Sequence, residues 1–195
     1  MLSRVAERIY WAARYLERAE NTARLTRVYG ALLLDLPDEA GVGWPLLIDI
    51  TDGGEAQSGH KANSDRGLLK HLLADPANPG SVLSSLTMAR ENFRTSRDLA
   101  PTEAWREVNA LYLFGKTNLH RAVTKRRRHE VLEGVIRHCQ QVRGMLADAM
   151  THGDAYQFLR LGRSIERADM TTRVIDVAAT SLMSAGRDLG PFENS

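Results

Sequence analysis

The sequence predicts an all-α protein, an antiparallel bundle of about five or six helices in which two helices carry the same charged motif. Three observations lead there. Apolar residues recur at spacings of three and four almost from end to end, and no segment alternates in the β-branched manner of a strand. The stretch "RYLERAENTAR" at residues 14–24 also returns as "RSIERADMTTR" at residues 163–173, at a constant offset of 149. A chain of 195 residues with 43% apolar and 26% charged side chains has the composition of one globular domain. That domain is expected over residues 1–185, with a first repeat of about 1–150 and a shortened second repeat of about 151–185. A loose tail, 186–195, follows.

Behind Ser3, a plausible N-cap, Leu2, Val5, Ile9, Ala12, Leu16, Ala19 and Ala23 form one stripe of a helix reaching about Leu34, with Pro37 beyond its end. Residues 36–66 read as a polar connection in which "WPLLIDI" makes a short helical turn against the core. "RGLLKHLLA" is a short helix. In "NPGSV", Asn78 is the expected N-cap and Pro79 the first helical residue of an element reaching about Asp98, burying Val82, Leu86, Ala89 and Phe93. Thr102 and Glu103 behind Pro101 open a helix carrying Trp105, Val108, Leu111 and Tyr112. A long helix from about Arg126 to Met150 buries Val131, Val135, Cys139, Val142 and Leu146. Asp154 caps the last, which reaches about Met183.

Composition removes several classes of function. The net charge of +2 is far from the signature of a dedicated nucleic-acid binder. One cysteine, Cys139, excludes an internal disulfide and a multi-cysteine zinc site; on the predicted core stripe it reads as an inert thiol. No apolar run approaches the ~20 residues of a membrane span. The first twenty residues lack the apolar stretch of a secretory signal, and Glu7, Glu17 and Glu20 argue against a transit peptide. A cytoplasmic setting follows. No metal site is expected, since His129, Glu133 and His138 share no helix face and form no HExxH. No Gly-rich phosphate loop stands between a strand and a helix, and no Ser/His/Asp set has a recognisable frame. No cofactor and no catalytic residue are assigned.

The repeated motif carries the chemistry. At ~100° per residue, Arg14, Glu17, Arg18, Asn21 and Arg24 fall on one broad side of the first helix, opposite the alanines. Tyr10, Leu25, Val28 and Leu32 share the charged side, so the helix is apolar on two faces and expected to be central. In the second copy Arg163, Glu166, Arg167 and Arg173 match the charges, and Asp169 stands for Glu20. Glu20 with Arg24, and Asp169 with Arg173, are i,i+4 pairs in the favourable acid-first order. Two readings follow. In one, Arg14, Glu17 and Arg18 form a charge lattice with Arg163, Glu166 and Arg167 that fixes how the helices meet. In the other, surplus guanidinium captures a carboxylate or phosphate ligand. A second basic run, Lys125, Arg126, Arg127 and Arg128, lacks interleaved aromatics and reads as a solvated helix start.

The same residues carry a family resemblance. "YWAARYLERAENTARL" and "FLRLGRSIERADMTTRV" resemble the two ER-signature segments of the Alpha-E domain family, and "LLADPANPGSVLSSLTMARENFRTSRD" with "EAWREVNALYL" resembles the segments between them. The likeness covers almost the whole chain and implies a bacterial all-helical domain with no established activity. The family's genes tend to lie beside ATP-grasp amide ligases and transglutaminase-like or Ntn-type peptidases, which implies a part in making or modifying peptides. The expected function is therefore a non-catalytic helical module, partner to an ATP-grasp ligase or transglutaminase-like peptidase. The alternative is an enzyme of that pathway binding its ligand through Arg14, Arg18, Arg163 and Arg167, with Glu17 or Glu166 as acid/base. A weaker one is RNA or acidic-protein binding through residues 125–128. Family members usually repeat an "NP-S" helix after the second signature. Its lack here leaves the last helix with an expected exposed apolar face, and self-association as a consequence.

Overall fold

A computed structural model describes residues 3–35, 43–52 and 64–188, with side chains as far as residue 180. It contains seven helices: α1 (Ser3–Asp35), α2 (Pro45–Asp52), α3 (Asp65–Ala74), α4 (Val82–Arg94), α5 (Thr102–Asn118), α6 (Lys125–Ala149) and α7 (Asp154–Asp188). No strand occurs among the described residues. The chain is all-α, with somewhat more helices than the periodicity suggested. "WPLLIDI" contributes the extra element. Pro45 opens an eight-residue helix that drives Trp44, Leu47, Ile48 and Ile50 into the core.

Helix starts follow local chemistry. The hydroxyl of Ser64 accepts from the Gly67 amide at α3, and that of Ser81 accepts from Ser84 at α4. The expected cap at Asn78 is thereby corrected. Its Oδ1 accepts from the Gly80 amide to close a turn of its own, while its Nδ2 donates to the His71 carbonyl. Asn78 and Pro79 thus belong to the α3–α4 turn, and α4 begins one serine later. It also ends earlier than expected, at Arg94, with a 3₁₀ turn at Arg97–Leu99 in place of a last helical turn. At the other end, α7 continues to Asp188, so residues 186–188 of the expected tail are helical; the remainder lies outside the described residues.

α1 lies at the centre, packed along α7, α4 and α6 and touching α2 and α3. One core cluster joins its Ala19 and Ala23 to Leu47, Leu69, Leu86, Leu132 and Val135. A second joins Ile9, Ala12 and Ala13 to Phe93, Val108, Val142, Leu146 and Leu159. Val28 and Leu32 are exposed, although they were expected on a covered face. Long helices packed on one another run antiparallel, as Leu86 meeting Gly115 while Arg90 meets Asn109, and Phe114 meeting Gly134 while Glu107 meets His138, show for α4–α5 and α5–α6. The motif pair is the exception. Tyr10 meets Gly162, Arg14 meets Glu166 and Glu17 meets Arg167, so α1 and α7 run side by side in the same direction. No helix among the described residues is long and apolar enough to cross a membrane.

Candidate functional site

The parallel course of α1 and α7 brings each copy of the motif against the other. The helices approach closely at Gly162, where a Cβ would stand 2.3 Å from the Tyr10 carbonyl oxygen. One turn on, two buried carboxylates reach across. Glu166, 1% exposed, accepts from Arg14 Nε at 2.7 Å and from Arg18 Nε at 2.6 Å and Nη2 at 3.1 Å. Glu17, 3% exposed, accepts from Arg167 at 2.7 Å. The 149-residue offset exchanges Arg18–Glu166 with Arg167–Glu17, so the contacts are reciprocal, as in a twofold interface. Glu20, also buried, takes Arg24 from its own helix at 2.6 Å and Arg143 from α6 at 3.1 Å. Its counterpart Asp169 holds Arg173 alone among the described residues, at 3.2 Å, and Arg173 donates onward to the Thr51 carbonyl of α2.

The reciprocity breaks at one position. Arg14 is steadied by the Tyr10 hydroxyl and by the rings of Tyr10 and Trp11, the latter 5.1 Å from its guanidinium. Burial pulls its pKa down, but Glu166 and Tyr10 raise it by more, leaving it above its ordinary value. At the positions equivalent to Tyr10 and Trp11 the second copy has Leu159 and Arg160. Arg163, the equivalent of Arg14, therefore has no aromatic rail and has a like charge three residues back. It is half-buried and has no hydrogen-bond or ion-pair partner among the described residues. It lines a cleft of about 420 Å³ with Arg24, Arg143, Arg167, Glu20 and Asn21.

The structure thus divides the residues singled out in the sequence. Arg14, Glu17, Arg18, Glu166 and Arg167 meet in one cross-helix clasp; Arg24 and Arg163 face the cleft beside it; Asp169 and Arg173 turn toward α2. Arg143 escaped the sequence reading. Its only signal was a place beside Val142 on the α6 core stripe, and no pattern linked it to Glu20, 123 residues away.

The basic run does not form one patch. Arg128 folds inward over Trp44, 4.7 Å from the ring, and donates to the Ala122 and Val123 carbonyls. Burial lowers its pKa, with Asp65 opposing that shift. Arg127 pairs with Glu130. Only Lys125 and Arg126 are left as exposed cations of the run without an ion pair.

No cluster of three potential metal ligands occurs among the described residues. Cys139 is buried beside Leu16, and burial, then Glu20 and Glu17, push its thiol far above the ordinary range. Ellman's reagent should leave the native protein unlabelled and titrate one thiol per chain after denaturation. Labelling of the native form at a comparable rate would show that the α1–α6 contact opens.

These features define a class: a helical protein whose two signature helices are strapped together by reciprocal, buried arginine–carboxylate bonds. The chain belongs to the Alpha-E family, described as "a predicted alpha-helical domain with a conserved ER motif", whose model matches residues 1–193. The glutamate–arginine steps of that motif, Glu17–Arg18 and Glu166–Arg167, are the residues of the clasp. No curated protein and no solved structure matches the chain.

Proposed function

We propose that this protein is a non-catalytic module that docks a helical layer of a partner protein on the outer face of α7. One observation carries the reading. Phe158, Leu161, Ile165, Ala168, Thr172, Ile175 and Ala179 follow each other at spacings of three and four on the side of α7 away from the core, and all are exposed. Shifted by 149 residues, they are the counterparts of Ile9, Ala12, Leu16, Ala19, Ala23, Thr26 and Gly30 of α1. In α1 that stripe is largely buried, under α4 and α6. The repeat itself therefore indicates what suits the α7 stripe: amphipathic helices packed as α4 and α6 pack on α1. Phe158, Leu161, Ile165 and Ile175 are 36–61% exposed, which makes a continuous apolar strip of the kind found at interaction sites. Arg160 borders it on one side and Asp176 on the other, so the fitting helix carries acid toward the first and base toward the second.

The family resemblance nominates an ATP-grasp amide ligase or a transglutaminase-like peptidase as that partner, in the cytoplasm. The clasp chemistry supports a non-catalytic role, because Glu17 and Glu166 are buried and tied to guanidinium groups, poor placement for proton transfer. The division of the basic run likewise supports a protein partner over RNA.

The test is co-expression with an ATP-grasp amide ligase from the same genome, read by size-exclusion chromatography with light scattering. A stoichiometric complex is expected, lost in the Leu161→Asp/Ile165→Asp double variant and retained with Met88→Asp, an equally exposed change on α4. The double variant should keep the wild-type Tm, since both positions are exposed. A complex that survives the double change overturns the docking face. So does a free chain that already forms a dimer which the same change dissolves, because the stripe then serves self-association.

A further inference from the structure

The cleft beside the clasp has a chemistry the clasp does not need. Three helices converge on it: α1 supplies Asn21, Glu20 and Arg24, α6 supplies Arg143, and α7 supplies Arg163 and Arg167. Glu20 faces two arginines, Arg24 and Arg143, and Glu17 faces Arg167 alone. Four guanidinium groups and the Glu20 carboxylate line about 420 Å³, and counting Glu17 behind Arg167 still leaves a surplus of two positive charges. If the arginines served architecture only, Arg163 would repeat Arg14 and close on Glu17. Instead its aromatic supports are missing, and it stands beside three other arginines in spite of their repulsion.

We infer that this cleft is a binding site for a phosphoryl dianion, a phosphate monoester in particular. A monoester carries about −1.5 to −2 charge near neutral pH and presents three strong acceptor oxygens at one centre. That matches both the surplus and the convergence of planar N–H forks from three directions. A dicarboxylate places its two charges at separate ends, which suits a single focus of guanidinium groups less well. Arg163 is the residue whose full donor capacity is free for the ligand; Arg143 and Arg24 hold the near wall through Glu20. The slot next to the cleft, about 60 Å³, is lined by Leu16, Val142, Leu146 and Leu159 and shares Glu20, Arg143 and Arg163 with it, so it offers an apolar surface to a small organic portion only. This site lies away from the outer stripe of α7, so it stands or falls independently of the docking reading.

The experiment is isothermal titration of the full chain with inorganic phosphate and with glycerol phosphate, at constant ionic strength set by chloride. Saturable one-to-one binding is expected, weakening as salt is raised. Arg163→Ala should weaken it at least tenfold without lowering the phosphate-free Tm, because Arg163 holds no other group and its loss relieves repulsion among the arginines. Arg126→Ala, an exposed cation elsewhere, should leave affinity as it was. Retention of full affinity in Arg163→Ala overturns the site, as does the lack of any saturable response at matched ionic strength. Tighter binding of succinate than of either phosphate overturns the ligand class.

Discussion

Replacing Glu166 with alanine should lower the free energy of unfolding by about 3 kcal/mol or more, from the roughly 3–5 kcal/mol that follows removal of one partner from a buried charged pair. The carboxylate is 1% exposed and serves two guanidinium groups, so its loss strands Arg14 and Arg18 together. Those side chains are 17% and 25% exposed, and their partial access to water keeps the cost near the lower bound. Glu17→Ala should cost clearly less. Glu17 has a single clasp partner, Arg167, which at 56% exposure recovers its hydration easily. Guanidinium denaturation of the two variants checks the order. Equal effects would mean that the two halves of the clasp are energetically equivalent despite their different surroundings. Arg18→Ala combined with Glu166→Ala should recover part of the loss, because fewer charges are then stranded.

The second large effect is expected at Gly162. Alanine there would put a methyl group 2.3 Å from the Tyr10 carbonyl oxygen and 3.3 Å from the Ala13 Cβ. The obstacle is backbone, which cannot rotate aside, so α1 and α7 must separate along the turn that carries the clasp. Overpacking costs about 1–3 kcal/mol where side chains can yield, and this position belongs at the upper end or beyond. Gly144→Ala on α6 is the control. It has nothing within 4 Å of the added Cβ, so it should stabilise by up to about 1 kcal/mol through helix propensity alone. Thermal unfolding of both variants reads the contrast: Tm should fall for Gly162→Ala and rise for Gly144→Ala. If Gly162→Ala leaves Tm unchanged, the close approach of the two helices is not a constraint on this fold.

Much of the fold was legible in the residues. The spacing of Ile9, Ala12, Leu16, Ala19 and Ala23 is a helical stripe on any reading, and further apolar residues on the charged side pointed to a central helix. The caps were harder. Asn78 and Ser81 are both good N-cap residues three positions apart, and the choice rests on whether Asn78 closes its own turn onto Gly80. α2 sat within a connection of polar character and became a helix because Trp44, Leu47 and Ile48 have a core to enter. The candidate site was legible as a set of residue types. The repeat announced that two helices carry matching charges and that acid and base would meet. It gave no direction for α7 against α1, and therefore no pairing.

What the sequence determined by itself is the content of each helix: its apolar stripe, its charges, and the duplication that relates the first to the last. These are properties of residues close together in the chain, governed by the 3.6-residue turn. Only the tertiary structure decided that the two signature helices run parallel, and with that the reciprocal contacts of Glu17 and Glu166. It also brought Arg143 to Glu20 across 123 residues, turned Arg128 inward onto Trp44, and left Arg163 without a carboxylate partner among the described residues. The physical reason is common to all of these. A guanidinium group on a long flexible stem takes whichever carboxylate, carbonyl or ring the packing of distant helices brings within reach, and that packing is fixed by the core as a whole.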